Sequence, residues 1–323
     1  MNNKKILAVL LGILVLFILL IAISISRLER PSQEYSQQFK KLPYTFDFGT
    51  WSNPNPSAVG FDGTFPKMPS EMMVYKVVHP NNINESYVRE LAQKHFGMPP
   101  DANMTRSPGL GLYWLETSTR LLEFNPKTGS FNIEKIDAID TRSTTKDDYP
   151  SNQDCNIIAV KYLMSCNLYE VDTYLRGIVD NTKSVGAMSL GFGRKIAGYK
   201  TMGPGGEILV HIGPGGEVVQ VRKSWQELVP YKPYPIKTAK QALKDLHNRK
   251  GFLTGLKGKI NKITLRYYTS SEKQDYVQPI YYFECSGTEI DFYGVVPAIK
   301  NGYIQSREEY WKEIKEKRGT PGK

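Results

Sequence analysis

The sequence predicts an α+β protein: a single N-terminal transmembrane helix followed by tandem units of one helix plus an antiparallel sheet. Two observations carry this. Residues Ile6–Ile25 form an uninterrupted apolar run, and twenty residues at about 1.5 Å each span about 30 Å, a bilayer's hydrocarbon thickness. Beyond it, helix-period segments alternate about three times with β-prone runs broken by glycine and proline, the pattern of segregated helices and antiparallel strands.

The apolar run is longer than a cleavable signal's core and has only weak small-x-small sites at its end. A retained signal-anchor is favoured over a cleaved signal. Lys4 and Lys5 precede it, and Arg27 and Arg30 follow. With the amino terminus, the lysines put residues 1–5 inside as a short cytoplasmic tail, residues 6–26 in the membrane and the bulk of the chain outside. Residues 27–83, rich in Pro, Ser and Asn, read as a stalk or irregular lead-in.

The first unit, residues 84–150, opens with a helix from Asn84 that Gly97 stops. Strands at 111–124 and 130–136 follow, joined by Asn125-Pro126-Lys127-Thr128-Gly129. The second, residues 151–231, is expected to hold a helix over 168–180, with Leu168, Val171, Leu175 and Ile178 on one face. After it Gly-Pro-Gly-Gly-Glu occurs twice, at Gly203–Glu207 and Gly213–Glu217, each before a β-prone run. Pro then Gly suits a type II turn. A phosphate cradle would lead into a helix and carry a lysine instead. The third unit, residues 232–302, starts with a helix over 238–249 and continues with strands at 262–269, 277–285 and 291–298; residues 303–323 form a charged helical tail.

The formal net charge is +10. Residues 232–323 carry 18 of the basic and 10 of the acidic residues, and Lys232–Arg266 holds ten Lys or Arg against Asp245 alone. Either this is a solvated basic face, or it contacts an anionic partner through Lys237, Lys240, Lys244, Arg249, Lys250, Lys257 and Lys259. Such a partner would be anionic lipid headgroups, wall polymer or an acidic partner; no nucleic-acid-binding motif accompanies the charge. Tyr267, Tyr268, Tyr281, Tyr282 and Tyr293 fit sheet packing or a Tyr-rich binding surface over the basic helix.

No HExxH or G-x-S-x-G occurs, and no Ser-x-x-Lys precedes a Ser-Asp-Asn. Catalytic, cofactor and metal residues are therefore expected to be none, although a dispersed enzyme site would be invisible at this level. His211, among apolar neighbours, reads as a packed residue. Asn84 and Asn103 head glycosylation triplets, meaningful only in a glycosylating host. Cys155 and Cys166 have ten residues between them and could staple a hairpin or stay free, while Cys285 reads as a buried small residue.

Arg194 to Trp225, with Gly-Gly-Glu-Ile-Leu-Val-His-Ile and Gly-Gly-Glu-Val-Val-Gln-Val inside it, resembles the sheet of PepSY-type and fungalysin/thermolysin-propeptide-type modules. Ile236–Arg249, Pro279–Phe283 and Val295–Ile299 are similar in order. Membrane-anchored accessory regulators of the Yyc type combine one N-terminal helix with related units. Over roughly residues 84–300, the resemblance implies PepSY-like units and binding or inhibition of a sensor or protease in the envelope. It transfers no catalytic residue. The alternatives are an envelope scaffold held to anionic polymer by residues 232–266, and an exported enzyme.

Overall fold

Leu42 carries the chain into its folded unit. Its N–H donates to the Tyr303 carbonyl at 2.9 Å, and its carbonyl accepts from Gln305 N–H at 2.8 Å. The computed structural model describes residues 39–46, 59–81, 83–136, 145–255, 257–288 and 290–319. The chain divides into two units, Met1–Lys41 and Leu42–Lys323. The expected membrane segment, residues 6–26, lies outside the described residues. Among those described, no helix is long and apolar enough to cross a membrane.

The expected lead-in contributes to the fold. Leu42 and Phe46 are buried, and Phe46 meets Tyr268 edge-on at 5.1 Å. Strands β1 (Val59–Gly60) and β2 (Glu71–Val78) follow. Helix α1 (Glu85–Phe96) starts where the Asn84 side chain accepts the Tyr87 N–H, and ends at Gly97 in the left-handed conformation, φ 62°. Val88, Ala92 and Phe96, four residues apart, form its buried stripe. Strands β3 (Asn103–Arg106), β4 (Tyr113–Glu116), β5 (Arg120–Phe124) and β6 (Phe131–Lys135) form a meander.

Two elements depart from expectation. Helix α2 (Asn152–Ser165) lies earlier than the helix expected over 168–180, capped by Ser151 and burying Cys155, Ala159 and Leu163. The expected helical segment is strand β7 (Thr173–Asn181). A β-bulge explains the misleading period. The register shifts between Leu175 and Gly177, so Leu175 pairs with Phe192 and Ile178 with Leu190. Leu175 and Ile178 thus share a face at a spacing of three, which imitates a helix.

A short helix α3 (Thr182–Val185) leads to β8 (Ala187–Ile196), β9 (Tyr199–Met202), β10 (Gly206–Ile212), β11 (Val218–Trp225) and β12 (Glu227–Pro235). Helix α4 (Ala239–His247) has a Thr238–Gln241 capping box. Strands β13 (Phe252–Leu253), β14 (Gly258–Tyr268), β15 (Tyr276–Gly287) and β16 (Phe292–Pro297), then helix α5 (Arg307–Gly319), complete the chain.

The expected tandem of separate helix-plus-sheet units is not what forms. The strands join into one connected 16-stranded sheet, ordered β12-β2-β15-β14-β9-β8-β10-β11-β6-β5-β4-β3, with β7 on β8 and β16 on β15. Among the named strands of the described residues, β1–β14 and β9–β14 pair in parallel and the rest antiparallel; Leu42 and Ile304 add an isolated parallel bridge. Strands from residues 103–135 and 173–225 share one sheet region and, with α1 and α2, one core that includes Leu115, Leu122, Leu163, Leu190 and Phe192. The later strands build a second core with α4, β1 and β2, including Ala242, Leu246, Tyr281 and Phe283. Each fully buried Leu or Phe of these cores contributes about 1.5–3 kcal/mol. Non-local pairing decided the grouping, and local turn signals carry no information about it.

Candidate functional site

Where the two sheet regions meet, their helix-free faces enclose a groove of about 520 Å³. Strand β8 reaches out of the first region and turns back through Ala197 and Gly198, both at positive φ, a two-residue hairpin. Strand β9 then pairs Thr201 with Tyr267 and Met202 with Tyr268. The first Gly-Pro-Gly-Gly-Glu loop returns the chain to β10. Along β15, Tyr281, Phe283 and Cys285 pack in the α4 core. Side chains alternate along a strand, so Tyr282 and Glu284 point the other way, toward the groove side.

Each groove residue is placed by a local device. The β7 bulge displaces Arg176 across β8, where Gly193 leaves room: a Cβ there would stand 2.5 Å from Arg176 Nε and 2.8 Å from Tyr174 Cζ. Arg176 Nη1 donates to Glu207 Oε2 at 3.0 Å, and Arg222 Nη2 donates to Glu207 Oε1 at 2.8 Å. On the opposite wall the Arg266 guanidinium lies 3.5 Å from the Tyr282 ring centroid and donates to Glu284 at 3.2 Å. Tyr282 and Tyr293 stack at 5.3 Å. The Lys200 ammonium is exposed, 5.0 Å from the Tyr174 ring centroid. Such cation–aromatic contacts contribute about 0.5–2 kcal/mol each and hold the cations in place. Burial raises the Tyr282 hydroxyl pKa against the opposing pull of Arg266, and burial raises that of Tyr293. Both hydroxyls therefore stay protonated donors at neutral pH.

A smaller cavity of about 260 Å³ adjoins the groove and shares Pro204 and Glu207 with it. Its lining mixes apolar Leu112 and Phe131 with Asn125, Asn132 and Ser224 and with the charged Glu123 and Arg222. The Ser224 hydroxyl is buried without a hydrogen-bond partner. An unmet buried hydroxyl costs about 1–3 kcal/mol, which a ligand's polar group would recover.

The residues singled out from sequence lie elsewhere or are divided. Lys237 is buried and pairs with Asp245 at 2.9 Å, and Lys250 reaches the same carboxylate at 3.5 Å. Lys259 pairs with Asp62 at 3.0 Å. Lys240, Lys244, Arg249 and Lys257 are exposed. Of these seven residues, Lys237, just before α4, is turned inward, and the other six are exposed. Tyr267, Tyr268 and Tyr281 are buried in the sheet packing. Tyr282 and Tyr293 line the groove, on the face away from the basic helix rather than over it.

Cys155, Cys166 and Cys285 are free thiols. The suggested Cys155–Cys166 bridge fails on geometry: Cys155 is inside α2 and Cys166 caps its end. Eleven steps of about 1.5 Å place them about 16 Å apart along the helix axis, far beyond disulfide reach. His211 is buried beside Ser189, Oγ to Nδ1 3.1 Å. Among the described residues no three His, Cys, Asp or Glu gather to hold a metal.

Arg176, Lys200 and Glu207 escape a sequence reading, because each becomes a site residue through a strand partner far along the chain. Gly191 and Gly193, alternating within a β-prone run, are the one local sign that another chain element lies close over β8.

No protein-family model matches the chain, and no curated protein matches it. Its likenesses are to solved structures, and they are distant. An uncharacterized protein from Eubacterium rectale is similar with a TM-score of 0.40 and 12% identity, over 75% of this chain and 88% of that one. The C-terminal domain of Bacillus megaterium YpeB is similar with a TM-score of 0.40 and 14% identity, over 68% of this chain and 94% of that one.

Proposed function

We propose that this is a membrane-tethered, extracytoplasmic binding protein that regulates a sensor or protease by docking a segment of it in the groove between the sheet regions. The apolar run Ile6–Ile25 supports the tether, and the PepSY-type resemblance of the sequence supports a binding role. The single observation that carries the reading is the groove's make-up: Arg176, Lys200 and Arg266 beside Tyr174, Tyr282 and Tyr293. Arginine and tyrosine are the residues enriched where proteins bind proteins. Scaffolding on anionic polymer is the weaker reading, since Lys237, Lys250 and Lys259 of the basic segment already face carboxylates.

The test is site-specific photo-crosslinking of the full chain in its host membrane. A photoreactive residue at position 200 should give one discrete protein adduct, and the same residue at position 240, on α4, should not. Adducts absent at 200, or equally abundant at 240, overturn this site.

A further inference from the structure

We infer that the segment docked in the groove is an extended, acidic peptide whose carboxylates meet Lys200 and Arg266; this rests on the proposed docking role and adds the chemistry of the partner. Three observations converge on it.

The first is charge. Of the groove's charged side chains, Glu207 is already shared by Arg176 and Arg222, and Arg266 spends one donor on Glu284. The Lys200 ammonium has no carboxylate partner among the described residues and is held over Tyr174 at 5.0 Å. Arg266 has donors beyond the one used, since a guanidinium carries five. The groove therefore keeps positive charge that the protein does not neutralise. A ligand carboxylate would complete it.

The second observation separates peptide from glycan. A sugar ring docks by stacking on an open aromatic face, and the central ring here offers none. Arg266 from β14 and Tyr293 from β16 reach Tyr282 from the strands on either side of β15, at 3.5 and 5.3 Å. Both faces of that ring are engaged within the protein.

The third is the continuation of the groove past Pro204 and Glu207 into the cavity lined by Asn125, Asn132 and Ser224. The Asn125 and Asn132 side-chain oxygens already accept from Lys127 N–H and Gln220 Nε2, both at 2.9 Å, and their amide N–H groups match the C=O groups of a bound backbone. The Ser224 hydroxyl lacks a partner. An extended chain presents backbone polar groups along its length and side chains at alternate positions. It would thus put carboxylates at one end of the path and main-chain groups at the other.

The experiment uses the full chain in detergent micelles and three fluorescent probes: an alternating Asp/Thr decapeptide, a Lys/Thr decapeptide, and a polygalacturonate oligosaccharide as anionic glycan. Anisotropy titrations should show the Asp/Thr peptide binding at least tenfold tighter than either other probe. Lys200→Glu should weaken the Asp/Thr peptide about tenfold, and the effect should shrink as salt rises. Lys240→Glu, on the far face of the sheet, should change it less than twofold. Lys200 is exposed, so its replacement leaves the fold intact. Equal binding of the glycan or of the Lys/Thr peptide overturns the inference. So does an Asp/Thr affinity that Lys200→Glu leaves unchanged or Lys240→Glu reduces equally, and so does no peptide binding at all. If the peptide fails while a protein still crosslinks at position 200, the docking role stands and the acidic peptide chemistry falls.

Discussion

Asp245 holds two lysines, one of them inside the protein. The Lys237 and Asp245 side chains are 5% and 10% exposed and 2.9 Å apart. Burial lowers the Lys237 pKa, and the Asp245 partner opposes that shift. Lys237→Met would leave a buried carboxylate with only the exposed Lys250 near it, so it should cost about 3 kcal/mol in urea unfolding. Lys240→Met should stay within about 0.5 kcal/mol. His211 gives a pH test. Burial, then Arg222, lowers its pKa from 6.5. Below that value the unfolded chain binds the proton more readily than the native one, so stability is full above pH 6.5 and is lost as pH falls through it. Urea midpoints at about pH 5 and about pH 7.5 should differ in wild type, and the gap should narrow in His211→Gln. That His211 is packed was readable from its apolar neighbours; that Lys237 is internal was not, because Asp245 meets it only once α4 has formed and docked.

The two Gly-Pro-Gly-Gly-Glu copies have one sequence and two structures. In the second, Gly216 N–H donates to Gly213 O at 3.2 Å, and Gly215 has φ 68° and ψ 4°, the geometry that Pro then Gly favours for a type II turn. In the first, Gly203 takes the positive φ, at 101°, and Gly205 N–H donates instead to Thr269 O at 3.1 Å. A Cβ at Gly205 would overlap the Ser270 carbonyl, whereas one at Gly215 would meet nothing within 4 Å. Gly205→Ala should therefore cost about 3 kcal/mol or more through backbone displacement, and should weaken any ligand of the groove that its neighbours Gly203 and Pro204 line. Gly215→Ala should cost only the left-handed strain of about 1 kcal/mol. Thermal unfolding of the two variants side by side checks this; equal losses would contradict it. At this scale the caps of α1 were legible, since Asn84 and Gly97 act within a few residues of themselves; that Thr238 caps α4 and Asn248 ends it was not. Strand β7 was not, because its bulge is visible only beside β8.

Across the whole molecule, both cores protect tyrosines from ionising. Burial pushes Tyr162, beside the first core, and Tyr281, in the second, up to about 12, and Tyr234 likewise. Above pH 10 an unfolded tyrosine releases a proton that its native counterpart keeps. The native state then binds more protons, and stability falls as pH rises from about 10 toward about 12. Urea titrations through that range should show the fall, and Tyr281→Phe, which also loses the 2.5 Å hydrogen bond to Lys237 O, should make it shallower while lowering stability at neutral pH. A slope unchanged by that substitution would place the ionising groups elsewhere.

By itself the sequence determined what acts over short range: the apolar run and its flanking charges, the caps of α1, the turns at Asn125–Gly129 and Gly213–Glu217, and the strands that follow them. Each depends on residues a few positions apart, where φ, side-chain capping and hydropathy suffice. Only the tertiary structure decided which strands are neighbours. It joined residues 103–135 to 173–225, drew β2 between β12 and β15, and laid β9 along β14. Backbone pairing energy is nearly the same for any two β-prone strands. The choice therefore falls to side-chain packing between segments up to two hundred residues apart, and the groove with its arginines and tyrosines exists only after that choice is made.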